Sequence, residues 1–436
     1  RQEDCNNVII WKDASPGYEN AAPVILQGHM DMVCAQTEDC PKDMTREGLD
    51  LATDGRYVWA EKTSLGGDDC IAVAAAFAIL ADNSLSHPPL EVVITVDEET
   101  GMDGAVALDC SDLKGRRLLN LDSEEEGVFT VSCAGGLRAD CFVPAVKAPL
   151  TDEACFAVSI GGLKGGHSGA EIDKGRGSGN DLISRVLYSS MERLGTLRIA
   201  DLRGGQFDNV ICTRCDAVVA VPAGKAEDFA AFIREFDGIL KNEYAATDGG
   251  VTLTCAAADA DAAYSAEDSS RLLHVLLTLP QGVEVMSADF PGLVQTSLNL
   301  GVMTACGDGL HFSFSIRSPV ASQKELLLQR VRAIVEYTGG GTVSTRGDYP
   351  AWQYARQSPL RDTVMASYKQ ITGQDGVIMA THGGLECGLL INKMPGLDAV
   401  SLGPELHDIH SPRERLGVAS TARMYALVCE VLKNCL

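Results

Sequence analysis

Histidine and acidic residues cluster in five short segments of the chain. Three segments follow apolar runs, one precedes an alanine-rich run, and one lies near the C-terminus. They are residues 28–32 (GHMDM), 66–69 (GGDD), 97–101 (DEETG), 121–126 (LDSEEE) and 407–412 (HDIHSP). Imidazole and carboxylate groups together suit Zn²⁺, with Mn²⁺ or Co²⁺ as alternatives. The five segments together predict a metal centre, whereas for any single one an ordinary surface loop is a competing interpretation.

The elements around these segments predict how their side chains come together. Residues 24–26, 90–96 and 118–121 are apolar runs typical of buried strands, and residues 71–80 have the composition of a buried helix. Strands that alternate with helices indicate a parallel or mixed sheet covered on both faces. Ligands of such sheets bind beyond the carboxyl ends of the strands. Polar residues that directly follow these strands are therefore expected to converge from distant parts of the chain.

The middle of the chain has a different pattern, typical of an α+β insert. Predicted helices cover residues 181–194, 226–243 and 265–279, and predicted antiparallel strands cover 251–255 and 310–316. No repeat of fixed period is evident, and the α/β pattern returns after residue 350. We expect an α/β catalytic domain, with a mixed, mostly parallel sheet between helices, in residues 1–136 and 347–436. An inserted α+β lid domain is expected in residues 137–346.

Composition excludes several classes of function. The 436 residues include 36 Lys and Arg against 60 Asp and Glu, a formal net charge of −24. This charge disfavours nucleic acid, whose binding depends on basic residues, and it disfavours anionic membranes. The longest strongly apolar run, residues 70–81, is shorter than the roughly 20 residues that span a bilayer. We therefore expect neither nucleic acid nor a membrane as a partner.

The cysteines indicate a reducing compartment. There are 15, and only Cys212 and Cys215 form a CxxC pair. The residues on both sides of this pair are typical of strands, which favours buried, reduced cysteines over a metal or redox site. The chain opens at Arg1 without the basic and apolar leader of a signal peptide. These features predict a cytoplasmic protein.

Six motifs carry a family resemblance. They are residues 28–33 (GHMDMV), 65–69 (LGGDD), 98–105 (EETGMDGA), 120–126 (NLDSEEE), 161–169 (GGLKGGHSG) and 382–388 (HGGLECG). The first three resemble the signature of the di-zinc aminoacylase/carnosinase metallopeptidase superfamily. The last three resemble its aminoacyl-histidine dipeptidase branch, which includes peptidase D, the cytosolic non-specific dipeptidase. The matches run in order over essentially the whole chain, and the resemblance also implies a helical segment before Arg1.

This resemblance implies two Zn²⁺ ions per chain and a ligand set for each. His29 and Asp122 would hold one ion, and Glu99 and His410 the other. Asp68 would bridge the two ions. Two metals roughly 3.5–4 Å apart can share a hydroxide and lower its pKa towards neutrality.

Two further residues of this centre have implied roles. Asp31 would accept the ring N–H of His29 and fix the orientation of the ring. Glu98 would act as general base towards the bridging hydroxide and then return the proton to the leaving amine. The family often has a cis peptide after the bridging aspartate, which makes Asp68-Asp69 a candidate for one.

On the substrate side, the resemblance implies contacts from four residues. His167 would stabilise the oxyanion, either in its own chain or from the partner subunit of a homodimer formed through the lid. Arg317 could clamp the substrate carboxylate, although a surface ion pair is an equally common role for such an arginine. Asn209 is a further candidate contact, and Glu386 is a candidate for binding the free amine.

The resulting hypothesis is a metallo-dipeptidase for Xaa-His and other dipeptides with free termini. An aminoacylase, tripeptidase or carboxypeptidase on the same metal centre is the alternative within hydrolases. A metal- or peptide-binding homologue without catalysis is the alternative outside them, and the presence of Glu98 argues against it. Asp69 and Cys70 stand where the branch usually has Asn-Gly, and several lid residues also differ. These departures affect the expected substrate preference more than the reaction type.

Overall fold

The computed structural model describes residues 1–436 and contains 22 strands. They are β1 (Val8–Lys12), β2 (Val24–His29), β3 (Leu51–Thr53), β4 (Tyr57–Ala60), β5 (Leu90–Thr95), β6 (Arg117–Asn120), β7 (Val128–Cys133), β8 (Gly135–Pro144), β9 (Lys147–Pro149), β10 (Glu153–Gly161), β11 (Arg198–Gly204), β12 (Cys215–Pro222), β13 (Thr252–Ala258), β14 (Ala262–Tyr264), β15 (Gly282–Met286), β16 (Val294–Ala305), β17 (Gly309–Ser318), β18 (Thr342–Tyr349), β19 (Val377–Thr381), β20 (Asp398–Ser401), β21 (Leu406–His407) and β22 (Arg415–Gly417).

Ten α-helices accompany these strands. They are α1 (Gly67–Ala81), α2 (Glu98–Gly101), α3 (Asp103–Ala107), α4 (Gly179–Leu194), α5 (Ala226–Glu243), α6 (Ala266–Thr278), α7 (Ala321–Arg332), α8 (Pro359–Thr372), α9 (Glu386–Lys393) and α10 (Val418–Lys433). Short 3₁₀ helices cover Ile172–Lys174 and Ala223–Lys225, and a π-helix covers Ala333–Thr338. None of the helices combines the length and apolar character needed to cross a membrane.

The chain forms two compact units. Unit 1 consists of Arg1–Cys133, Trp352–Thr381 and Leu385–Leu436, and unit 2 consists of Ala134–Ala351 and His382–Gly384. Unit 2 therefore includes a three-residue segment that lies far along the chain from the rest of it.

Unit 1 is built on a seven-stranded sheet of order β1-β5-β2-β6-β20-β7-β19. The pairs β5/β2, β2/β6, β6/β20 and β7/β19 are parallel, whereas β1/β5 and β20/β7 are antiparallel. The central strands are buried, as expected for a parallel sheet with helices packed on it. This architecture confirms the predicted α/β class with a mixed, mostly parallel sheet.

The alanine-rich sequence of α1 lets that helix approach the sheet closely. Ala72 and Ala76 pack against Val24 and Leu26 of β2 in one core, to which α8 and α10 also contribute. A Cβ atom at Gly28 would lie 2.5 Å from the Cβ of Ala72, so only glycine fits there. The peptide bond between Asp68 and Asp69 at the start of α1 is cis, which confirms the sequence prediction.

A second, four-stranded sheet of unit 1 has the order β21-β22-β4-β3 and is antiparallel. Its strands have two to four residues, too short for a pattern to be recognised in the sequence, and they were not predicted. The loop between β21 and β22 carries His410, so this small sheet places one of the candidate metal ligands.

Unit 2 contains two halves with the same topology. The first half consists, in chain order, of β10, α4, β11, β12, α5 and β13, and its strands pair in the order β13-β10-β12-β11. The second half consists of β8, α6, β16, β17, α7 and β18, and its strands pair in the order β16-β17-β8-β18. The two sheets join through antiparallel pairing of β11 with β16. The fold of unit 2 is therefore repeated, although its sequence has no repeat of fixed period. A βαββαβ topology requires a certain pattern of apolar residues but not particular residue identities.

None of the 15 cysteines is in a disulfide. Cys212 and Cys215 are buried, and Cys215 begins β12, in agreement with the strand predicted around the CxxC pair.

Candidate active site

Five predicted metal ligands lie together at one end of the unit 1 sheet. His29 Nε2 is 3.1 Å from Asp68 Oδ1 and 3.8 Å from Asp122 Oδ1. On the other side, His410 Nε2 is 3.2 Å from Asp68 Oδ2 and 2.8 Å from Glu99 Oε1. Potential ligand atoms thus form two groups of three that share the carboxylate of Asp68.

Parallel strands explain this convergence. His29 is the last residue of β2, Glu99 lies shortly after β5, and Asp122 follows β6 by two residues. The three strands are neighbours in register, so their carboxyl ends meet at the same edge of the sheet. His410 arrives from the β21–β22 loop with a φ of 58°, in the left-handed region.

Asp31 connects the two sides of the centre. Its backbone carbonyl oxygen lies 3.0 Å from His29 Nδ1, and its carboxylate accepts hydrogen bonds from the backbone N–H groups of Glu98 and Glu99. Burial opposes ionisation of Asp31, but contacts with His29 and the two amides lower its pKa below the usual value. Asp31 therefore orients both His29 and the segment that carries Glu98 and Glu99.

The charge of the cluster fits divalent cations. Burial and neighbouring carboxylates raise the pKa of Asp122 well above its usual value. Although burial alone would lower the pKa of His29, Asp31 and Asp68 raise it strongly, and Asp68 and Glu99 raise the pKa of His410 to about 10. No lysine or arginine pairs with these carboxylates, so positive charge at the site is strongly favoured. Two imidazoles and three carboxylates are a donor set that Zn²⁺, Mn²⁺ or Co²⁺ would satisfy.

Glu98 lies beside this donor set and has the properties of a proton carrier. Its carboxylate lies within 4.8 Å of potential ligand atoms of His29 and Glu99. Burial, assisted by Glu386 and Glu99 and opposed by His29, raises the pKa of Glu98 to about 7. A carboxyl group with a pKa near neutrality can both accept and donate a proton at physiological pH.

Sequence reasoning missed Glu414, a buried residue that holds the Asp68 turn. Its two carboxylate oxygens accept hydrogen bonds from the backbone N–H groups of Leu65, Gly66 and Gly67 at 2.8–3.0 Å, with the N–H of Asp68 at 3.4 Å. The only available signal was an acidic residue four positions after His410. The contact spans almost 350 residues of chain, which no local pattern reveals.

Glu386 occupies a different position from the one its predicted role requires. It is fully buried, and its Oε2 accepts hydrogen bonds from Gln27 at 2.5 Å and from Thr95 at 2.7 Å. Burial raises its pKa to about 6. The predicted contact with a free amine does not agree with this enclosure, because the carboxylate has no surface to offer. Glu386 instead belongs to a polar network beneath the ends of β2 and β5.

In unit 2, two predicted substrate residues lie together around Gly169. A Cβ at Gly169 would be 2.9 Å from His167 Cε1 and 3.4 Å from Arg317 Cζ. His167 Nδ1 accepts hydrogen bonds from the backbone N–H groups of Gly169 and Ala170. Since Nδ1 is the acceptor, neutral His167 carries its proton on Nε2 and presents an N–H donor. Burial and the charge of Arg317 lower the pKa of His167, which keeps the ring neutral.

Arg317 and His382 each have one buried nitrogen atom without a hydrogen-bond partner. Arg317 donates to the Tyr349 hydroxyl at 3.1 Å, while its Nε is buried without a hydrogen bond. His382 Nε2 lies 2.7 Å from Ser297 Oγ, and its Nδ1 is also buried without a partner. Burial and the charge of Arg317 lower the pKa of His382 to about 4. We call His167, Arg317 and His382 with these partners the basic cluster.

Asn209 lies in a loop that pairs with the loop of His167. Its backbone carbonyl accepts a hydrogen bond from the N–H of Ser168, next to His167. A bridge between His167 and Val210 also pairs the two loops. Asn209 is therefore placed near His167, and its substrate contact stays a prediction.

Comparisons with known proteins agree with this site. Residues 25–434 match the model of "Peptidase family M20/M25/M40". The cytosol non-specific dipeptidase of Escherichia coli (strain K12) is 36% identical over 436 residues, which cover 99% of this chain and 89% of that protein. The crystal structure of an aminoacylhistidine dipeptidase from Vibrio alginolyticus is 34% identical and superposes with a TM-score of 0.93, covering 100% of this chain and 89% of that one.

A more distant solved structure shares the fold alone. The aminopeptidase PepT from Bacillus cereus is 16% identical, with a TM-score of 0.56 over 98% of this chain and 84% of its own. The predicted resemblance to the aminoacyl-histidine dipeptidase branch is confirmed by the first two relatives, and the chain is a hydrolase of the metallopeptidase class. On the family match and the identity together, the chain belongs to peptidase family M20/M25/M40.

Proposed function

We propose that this protein is a dipeptidase that binds two Zn²⁺ ions and hydrolyses dipeptides with free termini, including Xaa-His dipeptides. The observation that carries the proposal is the pair of ligand groups that share Asp68, with Glu98 beside them. The names of the Escherichia coli and Vibrio relatives support the substrate class. Mn²⁺ and Co²⁺ are alternative metals for the same donor set.

We assign His29, Asp68 and Asp122 to one ion and Asp68, Glu99 and His410 to the other. When bound, two such cations polarise the scissile carbonyl and supply an activated water at neutral pH. Asp31 keeps the ring of His29 in position through its contact with Nδ1.

Glu98 moves the proton in this proposal. Its carboxylate accepts a proton from the attacking water and then donates it to the amine of the leaving amino acid, so the group is regenerated in each turnover. Burial raises the pKa of Glu98 above its ordinary value, which favours its role as the proton acceptor. Its backbone N–H, bound by Asp31, limits the movement of the segment during these transfers.

The basic cluster of unit 2 supplies donors for the negative groups of a peptide. His167 Nε2–H is proposed as the donor for the developing oxyanion. Arg317, whose Nε lacks a protein partner, is proposed to bind the substrate carboxylate. Asn209 is proposed as a further substrate contact near His167.

The first experiment measures metal content and dipeptide hydrolysis of the zinc-reconstituted protein and of Glu98→Ala. Two bound metals with cleavage of Xaa-His dipeptides that falls about 100-fold or more in the variant would support the proposal. Two bound metals without cleavage of any dipeptide would reject it in favour of an acylase, tripeptidase or carboxypeptidase substrate, or of a binding role. N-acyl amino acids and tripeptides assayed in parallel separate these outcomes.

We also propose a cytoplasmic location, which the name of the Escherichia coli relative supports. A homodimer through residues 137–346 is proposed from the family resemblance alone. Sedimentation of the purified full chain would test it: a single monomeric species at micromolar concentration would contradict it.

A further inference from the structure

A cavity of about 190 Å³ lies in unit 1 directly beside the candidate metal centre. Asp122, one of the ligands, forms part of its wall. The loop after β6 supplies Glu124, and the parallel strands β7 and β19 supply Thr130 and Met379, which are register partners. A cavity that shares a wall with the ligands is within reach of any group attached to the reacting carbonyl.

The cavity has two chemically distinct parts. Val128, Thr130, Met379 and Leu385 make an uncharged surface, while Glu124 and Glu125 line the side next to Asp122. Glu124 forms no ion pair with a basic residue, and it is near enough to Asp68, His410 and Glu99 for their charges to act on it. Glu126, two residues further on, differs because Arg423 binds both of its oxygens. The two carboxyl groups of this turn that lack an ion-pair partner, Glu124 and Glu125, therefore line the cavity beside the metal centre.

We propose that this cavity binds the N-terminal residue of the substrate, with its side chain against Thr130, Met379 and Leu385 and its α-ammonium group at Glu124. The inference deepens the proposed dipeptidase function and rests on it. In a dipeptide the α-amine is attached to the carbon next to the scissile carbonyl, so it must lie close to the metal ligands. An acidic wall attracts this ammonium group and repels the C-terminal carboxylate, which sets the direction of the peptide.

The volume sets the preferred side chains. A cavity of this size holds about six water-sized groups at roughly 30 Å³ each. Leucine and methionine side chains, with four non-hydrogen atoms, fit within it, whereas a tryptophan side chain would extend out of its open side. Acidic N-terminal residues are disfavoured because Glu124 and Glu125 lie beside them.

Met379 provides the direct test of the side-chain part. It is 40% exposed on the edge strand β19, so its substitution leaves the core intact. We expect Met379→Trp to lower kcat/KM for Leu-His at least 10-fold relative to Gly-His, and Met379→Ala to shift the preference towards Phe-His. Equal changes for all three substrates in both variants would overturn the proposal.

Glu124 provides the test of the amine contact. In Glu124→Gln we expect KM for free dipeptides to rise about 10-fold with bound zinc and kcat little changed. Leucine has a free amine and N-acetylleucine does not, so we expect leucine to inhibit the wild type more strongly. This difference in inhibition should become smaller in Glu124→Gln. Glu126→Gln is the matched control, since it removes the same charge from the same turn outside the cavity. The amine contact is wrong if Glu124→Gln and Glu126→Gln behave alike.

A binding measurement separates failure of this inference from failure of the dipeptidase proposal. If the wild type cleaves no dipeptide, the proposed function fails. Calorimetric titration of the zinc-loaded protein with leucine then tests the cavity without turnover. Weaker binding to Met379→Trp than to the wild type by at least 10-fold would support it, and equal affinity would reject it.

Discussion

The metal-ligand cluster of unit 1 and the basic cluster of unit 2 leave opposite charges uncompensated. In the first, five carboxylates (Asp31, Asp68, Glu98, Glu99 and Asp122) surround two histidines, with no lysine or arginine among their partners. In the second, Arg317 and His382 face a tyrosine and a serine hydroxyl, and no carboxylate pairs with the side chains of Arg317, His167 or His382. Glu171 accepts a hydrogen bond from the backbone N–H of His167 and pairs with Arg176. The first cluster raises the pKa of its histidines, and the second lowers the pKa of its own.

This difference shows how each cluster specifies its ligand. Buried charge is costly without a partner, so an incomplete cluster favours whatever supplies the missing sign. The acidic cluster favours cations, and the basic cluster favours anionic groups such as a carboxylate or an oxyanion.

The largest expected effect follows from removal of Asp68, the proposed shared ligand. Asp68→Ala takes one ligand from each metal group, so we expect fewer than two bound metals and a loss of dipeptide hydrolysis of at least about 1,000-fold, because bound metals contribute several kcal/mol to transition-state stabilisation. Elemental analysis and kcat/KM measure the two quantities. Asp69→Asn, at a buried neighbour outside both groups, should keep both metals. Retention of two metals by Asp68→Ala would mean that Asp68 is not the shared ligand.

A smaller effect is expected at Glu414, which holds the Asp68 turn. Glu414→Gln replaces one acceptor oxygen by an NH₂ group that faces backbone N–H donors, so the turn must shift. We expect zinc affinity to fall about 10–100-fold, as for other residues that orient metal ligands. Titration against a competing chelator measures this change. The control is Glu405→Gln, at a half-exposed acid paired with His407. Unchanged affinity would show that the turn holds Asp68 without Glu414.

Arg317→Met tests the opposite cluster and should leave the metals in place. A charged hydrogen bond contributes about 1.5–3 kcal/mol, so we expect KM for dipeptides to rise about 10–100-fold. The discrimination against dipeptide amides, which lack the carboxylate, should fall in parallel. Arg346→Met removes an arginine already paired with Asp140 and Asp208 and is the comparison variant. If Arg346→Met raises KM as much as Arg317→Met does, the effect comes from the loss of positive charge anywhere in unit 2 and not from a contact with the substrate carboxylate.

The smallest effect concerns stability in acid. The pKa of His382 is about 4 in the folded protein and near 6.5 when unfolded, so the unfolded chain binds the proton first as the pH falls. The free energy of unfolding should therefore drop by about 2–3 kcal/mol between pH 7.5 and 4.5 through this residue alone. In urea unfolding of the metal-free protein, the free energy of unfolding of His382→Asn should decrease by about 2–3 kcal/mol less than that of the wild type over this pH range. His274→Asn, at an exposed helical position, should behave as the wild type does; a parallel pH response of all three proteins would refute the burial of a neutral His382.

Much of the fold was predictable because its signals are local. Helix α5 was predicted with the residues that the structure gives it, and α4 within two residues at its start, since both have strong helical periodicity. Strand β16, of 12 residues, was not predicted. It contains serine, asparagine and threonine, and its burial comes from pairing on both sides with β11 and β17. The topological repeat of unit 2 could not be recognised in the sequence either, because the residues next to a strand do not specify which strand it pairs with.

The assignment of individual ligands came from the family resemblance and stays a prediction. The metal centre itself was visible in outline, because four of the five segments rich in histidine and acidic residues adjoin runs typical of a strand or a helix. Its chemistry depends on residue type, and the convergence of parallel strand ends follows from a general rule. The roles of Glu386 and Glu414 were not accessible in this way. Both are single glutamates near the site motifs, and either could have faced substrate.

The sequence alone specified the kind of chemistry, since imidazole and carboxylate groups after buried strands have few alternatives to a metal. Only the tertiary structure separated the carboxylates that face the centre from those enclosed beneath it. Gln27 meets Glu386 across 359 positions, and Leu65 meets Glu414 across 349. Such contacts depend on strand register and on the paths of loops. These decide whether a side chain faces solvent, faces a ligand or joins a buried network, and the sequence motif around it is the same in each case.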